Sequence, residues 1–225
     1  MVWRNANIFL PFHEKTVFLQ GKNIRYKLII SVMTAVETFF DVKPTEFSLT
    51  AGRILISVPF YNDPFFNRTV VLMTDYDDKS CAGLVLNKSS RLSVRKVVGE
   101  IKVDDKLYIG GPVMPDGIFC VHNFENSKAA AKLLPGIYVG SDEVLISLIE
   151  HKAIPTMKYR FFVGYSGWSP GQLEGELGKN MWVIGAATPE LVFDTPCHKI
   201  WETAVRTLGS DYLHWLKLPR IIGSN

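Results

Sequence analysis

Residues 164–177 read GYSGWSPGQLEGEL. The small residues that open this stretch are typical of a tight corner at the end of a β-strand. Ser169 followed by Pro170, with Gln172 three residues after the serine, is the pattern of a helix N-terminus with a capping box. We therefore predict a strand that ends at this corner, Ser169 as the N-cap, and a helix that begins at Pro170.

Apolar, β-branched runs of strand length lie on both sides of this corner. They are residues 53–58 (RILISV), 69–74 (TVVLMT), 82–87 (AGLVLN), 106–110, 117–122, 136–139, 159–165 (YRFFVGY) and 181–186. Two further helices are predicted, one capped by Ser141 and one that starts at Thr195-Pro196 and ends at Gly209. Because the strands outnumber the helices and do not alternate regularly with them, the pattern predicts a mixed α+β domain.

The composition is that of a globular protein. Of the 225 residues, 47% are hydrophobic, which is enough apolar material to offset chain entropy and excludes disorder as the main state. The three cysteines are an odd count at wide spacing, which favours free thiols in a reducing compartment and predicts a cytoplasmic protein. The spacing of Cys and His fits no zinc site, so we predict neither a metal nor a cofactor.

The basic charge is concentrated at the N-terminus. Residues 1–32 hold five basic residues against Glu14, a net charge of +4, whereas the whole chain carries +3 and the remainder therefore −1. A nucleic-acid-binding domain usually places its basic charge on the folded face that meets phosphate, so direct DNA binding is not supported. The apolar runs are too short to cross a bilayer, and we predict no membrane association.

We expect two segments in the chain. Residues 1–32 lack sustained helical or strand periodicity and are expected to be a poorly organised leader, an artefact of the choice of start codon. Residues 33–225 are expected to form a single domain that begins at Met33.

Several motifs, taken in order, carry a family resemblance. They are Asp63-Pro64-x-Phe66, Arg68-Thr69-Val70-Val71, Gly83-Leu84-Val85-Leu86-Asn87, Gly110-Gly111-Pro112-Val113, the strand that ends in His122, the 164–174 corner and Phe193-Asp194-Thr195-Pro196. The set resembles the AlgH/YqgE family of bacterial proteins and covers about residues 47–215. The resemblance implies one α+β domain whose bifurcated, mostly antiparallel sheet curls into a pseudo-barrel with peripheral helices. It implies no catalytic or cofactor-binding residues. It implies the role in transcriptional regulation that has been proposed for the family.

Two groups of residues could carry nucleophilic chemistry. Ser166 stands in the sequence Gly-Tyr-Ser-Gly-Trp, which is close to the Gly-x-Ser-x-Gly nucleophile elbow but has Trp168 at the fifth position. Cys120 and His122 lie on the same face of a strand, since alternate side chains point the same way. A tight corner and a buried cysteine beside a hydrogen-bonded histidine explain the two patterns more simply.

Two hypotheses about function remain open. The first is a non-enzymatic binding or regulatory protein that acts indirectly, through a small ligand or a protein partner bound in a groove. The second is a hydrolase-like enzyme that uses His122 or Glu174 as acid–base groups. The candidate groove residues are Asn87, Gly110, Gly111, His122, Tyr165, Ser166, Trp168, Gln172 and Glu174.

Overall fold

The computed structural model describes residues 42–43, 45–61, 63–99 and 101–219, and these form ten strands and four α-helices. The strands are β1 Arg53–Ser57, β2 Val70–Tyr76, β3 Cys81–Val85, β4 Ser89–Ser93, β5 Lys106–Ile109, β6 Val113–His122, β7 Ala131–Leu134, β8 Ile137–Val139, β9 Tyr159–Gly167 and β10 Trp182–Ala186. The helices are α1 Val94–Val97, α2 Glu143–Glu150, α3 Gln172–Gly178 and α4 Ile200–Thr207. A π-helical turn spans Glu190–Asp194, and 3₁₀ segments span Cys197–Lys199 and Ser210–Lys217.

The sheet branches at β9. Along one edge, β9 pairs antiparallel with β6. Along the other edge, the first half of β9 pairs parallel with β5, and its last two residues, Ser166 and Gly167, pair antiparallel with β3. The main path runs β10-β1-β2-β3-β9-β6-β8-β7, with β4 paired to β5 off this path. The α+β class and the bifurcated, mostly antiparallel sheet are confirmed.

The sheet curls until β7, at one end of the path, approaches the start of β1, the strand next to the other end. A side chain on Gly52, just before β1, would place its Cβ 2.6 Å from the carbonyl oxygen of Leu133 in β7. Leu133 and Leu134 pack against the same apolar cluster as β1 and β2. The resulting half-barrel corresponds to the curled sheet that the family resemblance implies.

Strands β1 and β2 are apolar at successive positions because both of their faces are covered. Ile54 and Ile56 point into the cluster that is closed by α4 and by Trp215. Leu55, between them, points into a second cluster on the opposite face, which holds Trp182. A third cluster fills the space between α2 and the β5–β6–β9 branch. The two-sided burial explains why these strands read as continuous apolar runs.

The strand predictions were accurate at the buried centre of the sheet and incomplete at its edges. All eight predicted runs correspond to strands, although their ends shift by up to four residues at β6. Two strands were missed, β4 (SSRLS) and β7 (AKLL), which pair with one neighbour each and are largely exposed. Exposed edge strands lack the apolar alternation by which a strand is identified.

The starts of α2 and α4 are displaced from their predicted positions. The N-cap of α2 is Asp142 and not Ser141, and its carboxylate accepts a 2.7 Å hydrogen bond from the Leu145 N–H. The segment after Thr195-Pro196 begins as a 3₁₀ turn, and α4 begins only at Ile200. The predicted leader and domain start lie outside the described residues, which from Val42 onward belong to one compact unit.

Glycines make the branch point of the sheet possible. A Cβ on Gly110 would lie 2.2 Å from the Gly164 carbonyl oxygen, and one on Gly111 would lie 2.1 Å from the Tyr165 carbonyl group. Gly164 itself has a φ of +66°, in the left-handed region that favours glycine. The loop after β5 therefore crosses β9 with its backbone in direct contact, and only residues without a side chain fit.

We expect Gly111→Ala to destabilise the fold by about 3 kcal/mol, because the added methyl group meets backbone atoms that cannot rotate away. Gly175→Ala is the matched control: it adds the same methyl group within α3, where no atom lies within 4 Å. This change should be neutral or stabilise by about 0.5–1 kcal/mol. Urea unfolding of both variants measures the difference, and equal stabilities would contradict the close backbone contact.

Candidate functional site

The chain turns sharply between the end of β9 and the start of α3, and we call residues 168–171 the Trp168 corner. The backbone N–H of Trp168 donates a 3.0 Å hydrogen bond to the Cys81 carbonyl, which fixes the corner to β3. The Trp168 side chain is 8% exposed and meets the Trp182 ring edge-on, with 6.2 Å between ring centroids. The indole is therefore held rigidly at the surface end of an apolar cluster.

The capping pattern at this corner is only half realised. The Ser169 N–H donates a 3.0 Å hydrogen bond to Oε1 of Gln172, as a capping box requires, but no side chain caps the helix. Gly171, with a φ of +76°, stands at the N-cap position, and α3 begins at Gln172. The predicted start at Pro170 was therefore two residues early, because the left-handed glycine continues the turn.

One carboxylate, that of Glu176, ties the corner together. Its Oε2 accepts hydrogen bonds from the indole N–H of Trp168 (3.0 Å) and of Trp182 (2.7 Å). The Tyr61 hydroxyl donates to the same oxygen at 3.3 Å, and the Gln172 amide donates to Oε1 at 3.0 Å. Three aromatic side chains, one of them from a distant part of the chain, thus donate to one carboxylate of α3.

Glu176 was not among the predicted site residues. The only local signal is its spacing from Gln172, since residues four apart on a helix are neighbours. Its partners Tyr61 and Trp182 come from outside the corner, and their approach depends on the tertiary fold.

Two surface clefts meet at Trp168. The first has a volume of about 290 Å³ and is lined by Tyr76, Asp77, Asp78, Lys79, Ser80, Cys81, Trp168, Ser169, Pro170, Gly171 and Glu174. The second has a volume of about 300 Å³ and is lined by Tyr61, Asp63, Phe66, Pro112, Gly167, Trp168, Gln172, Glu176 and Met181. Both are at the lower end of the size range of small-molecule sites. Trp168 forms part of the wall of each.

The first cleft is acidic. The Tyr76 hydroxyl donates a 2.6 Å hydrogen bond to Glu174, which lowers the pKa of Glu174 and raises that of Tyr76 to about 12. Burial, reinforced by Glu174, raises the pKa of the Cys81 thiol to about 11, so the thiol stays protonated at neutral pH. Chemically this cleft offers carboxylates and an indole, and no thiolate nucleophile.

Of the predicted groove residues, Trp168, Gln172 and Glu174 lie together at the two clefts. Gly110 and Gly111 lie at the branch point of the sheet, where their role is structural. Ser166 lies there too, and its buried hydroxyl donates a 3.2 Å hydrogen bond to the Gly110 carbonyl. This hydroxyl forms a hydrogen bond inside the fold and does not line either cleft, as a nucleophile would have to.

Tyr165 and Asn87 are also placed away from the clefts. The Tyr165 ring packs edge-on against Phe119, with 5.8 Å between centroids. The Asn87 side chain accepts a hydrogen bond from the Val70 N–H at 3.0 Å and donates to the Arg68 carbonyl at 2.8 Å. Asn87 thus joins the end of β3 to the turn before β2.

His122 lies at the far end of β9 from the corner. It pairs with Tyr159, the first residue of β9, whereas the corner follows Gly167, the last. At the rise of a strand this is a separation of roughly 25 Å. The imidazole is fully buried, stacks on Tyr138, and accepts a 3.2 Å hydrogen bond from the Phe124 N–H. His122 and Glu174 therefore cannot act on the same bond.

The structure does not join Cys120 and His122 into a nucleophilic pair. Burial raises the pKa of the Cys120 thiol to about 12, and its Sγ contacts the Val121 carbonyl oxygen at 3.9 Å. Within the described ranges, no group of three His, Cys, Asp or Glu side chains is placed to hold a metal ion. The helices in this part of the chain are all too short or too polar to cross a membrane.

Comparisons with known proteins identify relatives along most of the chain. The model of a family described as AlgH-like matches residues 54–213. A UPF0301 protein of Chlorobaculum tepidum is 33% identical over 180 residues, which cover 79% of this chain and 96% of the relative. A UPF0301 protein of Cytophaga hutchinsonii is 36% identical over 168 residues, 73% of this chain and 92% of the relative.

Two solved structures share the fold. The solution structure of the AlgH protein of Pseudomonas aeruginosa is 28% identical, with a TM-score of 0.63, and the match covers 79% of this chain and 98% of that protein. The crystal structure of a protein of Corynebacterium diphtheriae is 21% identical, with a TM-score of 0.64, over 77% of this chain and 94% of that protein. The second likeness concerns the fold alone.

We expect Glu176→Ala to destabilise the protein by about 3 kcal/mol, because it leaves two largely buried indole N–H groups without an acceptor. Glu174→Ala is the control, since it removes one exposed hydrogen bond and should cost less than about 1 kcal/mol. The two free energies of unfolding can be compared by urea titration with far-UV circular dichroism. Similar losses in the two variants would mean that Glu176 does not hold the corner.

We also expect a pH dependence of stability from His122. Burial is the main cause that lowers its pKa below the ordinary 6.5, so the folded chain keeps the imidazole neutral. The stabilising contribution is complete above pH 6.5 and is lost as the pH falls from there towards the folded-state pKa, at up to about 1.4 kcal/mol per pH unit. His122→Asn should flatten this slope of the unfolding free energy between pH 7.5 and 5; an unchanged slope would assign it to other groups.

Proposed function

The chain belongs to the AlgH-like family, and from this premise we propose that the protein is a non-enzymatic binding protein with a regulatory role. It recognises a ligand or a protein partner at the Trp168 corner. The observation that carries this proposal is the meeting of two clefts at one indole, which Glu176 holds in place. A fixed aromatic side chain between two concave surfaces is suited to binding, since little conformational entropy is lost when a partner docks on it.

The charges at the corner favour a partner that carries positive groups. The first cleft is lined by Asp77, Asp78 and Glu174 with Lys79 as its one cation, and the second by Asp63 and Glu176 without a cation. An ammonium or guanidinium group placed between them would be attracted by the carboxylates and by the indole π-system. We therefore expect a protein segment rich in Arg or Lys, or an organic cation.

The same charges argue for indirect regulation. Phosphate groups of DNA would be repelled from the acidic clefts, and residues 33–225 carry a net charge of only −1. Regulation of transcription would then proceed through the bound partner and not through contact with the genome. The free thiols of Cys81, Cys120 and Cys197 support a place in the reducing cytoplasm.

We expect a fluorescein-labelled peptide of alternating Arg and Gly to bind the protein, and a peptide of alternating Glu and Gly not to bind. The double variant Trp168→Phe/Glu174→Gln should weaken binding about tenfold, through the loss of the indole face and of one carboxylate. Glu190→Gln, which removes the same charge from an exposed position outside both clefts, should leave the affinity within twofold. Fluorescence anisotropy at two salt concentrations measures these affinities.

Three outcomes would contradict the proposal. The first is failure of the Arg peptide to bind. The second is equal affinity of that peptide for the double variant and the parent, which would place the site elsewhere. The third is tighter binding of a labelled DNA duplex than of the peptide, with loss of affinity as salt is added, which would indicate direct DNA binding.

A further inference from the structure

Arg160 is a buried cation that forms no direct ion pair with the described residues. It lies in β9 with 7% of its surface exposed, and its Nη2 donates hydrogen bonds to the carbonyl oxygens of Thr195 (2.9 Å) and Phe193 (3.3 Å). Its guanidinium carbon lies 5.0 Å from the centroid of the Tyr108 ring. In the described part of the chain, no carboxylate forms an ion pair with it, and its buried Nη1 makes no hydrogen bond.

The burial of the Arg160 charge is energetically unfavourable unless it is compensated. Removing a guanidinium from water is costly unless all its N–H groups are paired and an opposite charge lies near. Two backbone carbonyls and one aromatic face supply only part of that compensation. An anion bound from solution would supply the rest of this compensation.

Lys106 adds a second positive charge beside Arg160. Strands β5 and β9 are parallel, with Leu107 paired to Phe161, and Lys106 and Arg160 directly precede these two residues. They are therefore lateral neighbours, and side-chain alternation places them on the same face as Tyr108 and Phe162. Like charges at adjacent positions of neighbouring strands repel each other. Lys106 is exposed and forms no ion pair within the described ranges.

A cleft opens over these two cations. Its volume is about 310 Å³, and its lining residues are Asp105, Lys106, Tyr108, Met157, Lys158, Tyr159, Arg160, Phe161 and Phe193. The nearby carboxylates already have other partners. Asp105 accepts a 2.6 Å hydrogen bond from the Tyr159 hydroxyl, and Asp194 accepts one of 2.6 Å from Lys158 Nζ. Asp194 attracts Arg160 electrostatically, but neither carboxylate forms an ion pair with Arg160 or Lys106.

The neighbouring thiol of Cys197 responds to the same cations. Burial raises its pKa, but Arg160, Lys106 and Lys88 each act to lower it, in that order of strength. Three cations thus lie near one small, half-buried group. The positive potential extends from the cleft to the start of the 3₁₀ turn at Cys197.

We propose that the cleft over Arg160 and Lys106 binds a phosphate-bearing small molecule. Lys106 and Arg160 both line this cleft, and an ammonium and a guanidinium are the donors that phosphate oxygens prefer. The negative charge of the phosphate would offset the charge of the buried guanidinium. The rings of Tyr108 and Phe193 at the rim would contact the organic part of the ligand. This site is separate from the Trp168 corner, and it does not depend on the function proposed for that corner.

The test is a titration of the ¹⁵N-labelled full chain with inorganic phosphate, with sodium chloride used to hold the ionic strength constant. We expect saturable shifts of backbone amides in β5, in the first half of β9 and at residues 193–197. Lys106→Gln should raise the dissociation constant about tenfold, the loss expected for one charge-assisted hydrogen bond. Lys179→Gln, which removes the same charge from the exposed end of α3, should leave it unchanged.

Arg160→Lys completes the test by keeping the charge and removing the planar fork, and it should weaken binding if folding is retained by circular dichroism. Should that variant not fold, Lys106→Gln alone decides the matter. Shifts that grow linearly with phosphate, or that are the same in Lys106→Gln and Lys179→Gln, would overturn the proposal. They would mean that Arg160 Nη1 is satisfied by a buried water molecule only.

Discussion

The close backbone contact between the Gly110-Gly111 loop and β9 is the constraint on which the sheet depends. The Gly110 N–H donates to the Val163 carbonyl at 2.8 Å, and the Gly110 carbonyl accepts from Val85 at 2.9 Å. One residue thereby connects β9 to the end of β3 while the chain leaves β5. Without this contact, β9 could not pair with β5 at residues 161–163 and with β3 at residues 166–167 of the same edge. The pairing with β3 fixes the position of the end of β9, and the Trp168 corner begins at the next residue.

The buried centre of the fold could be predicted from the sequence, because burial leaves a local trace. Strands β1 and β2 are covered on both faces, so each of their central residues is apolar and the run is unmistakable. Strand β4 is exposed and polar, and it exists only because β5 offers its edge. The start of α3 was misplaced for a related reason. The hydrogen bond from the Ser169 N–H to Gln172 forms as the capping pattern predicts, but Ser169 is not the N-cap, because the backbone conformation of Gly171 determines where the helix begins.

The candidate site was predictable only in part. Trp168, Gln172 and Glu174 are adjacent in the chain, and the motif that contains them drew attention to the right corner. His122 was predicted to lie with them. It is the last residue of β6, but the sequence does not show that this end of β6 pairs with the start of β9, far from the corner. Tyr61 and Arg160 gain their significance from distant partners: Tyr61 from Glu176, and Arg160 from the carbonyl groups of residues 193 and 195. Such long-range pairings leave no pattern in a single sequence.

The position of β9 along the chain also has a consequence for biosynthesis. Strands β3, β5 and β6 all precede β9, and each pairs with it, so none of these pairings can form before the matching part of residues 159–167 has left the ribosome. The pairing of β1 with β10 forms later still, because β10 follows β9 in the chain. The nascent chain must therefore carry strands with one unpaired edge until β9 emerges, which exposes them to aggregation. A holdase chaperone that shields them until β9 emerges would protect the yield of folded protein.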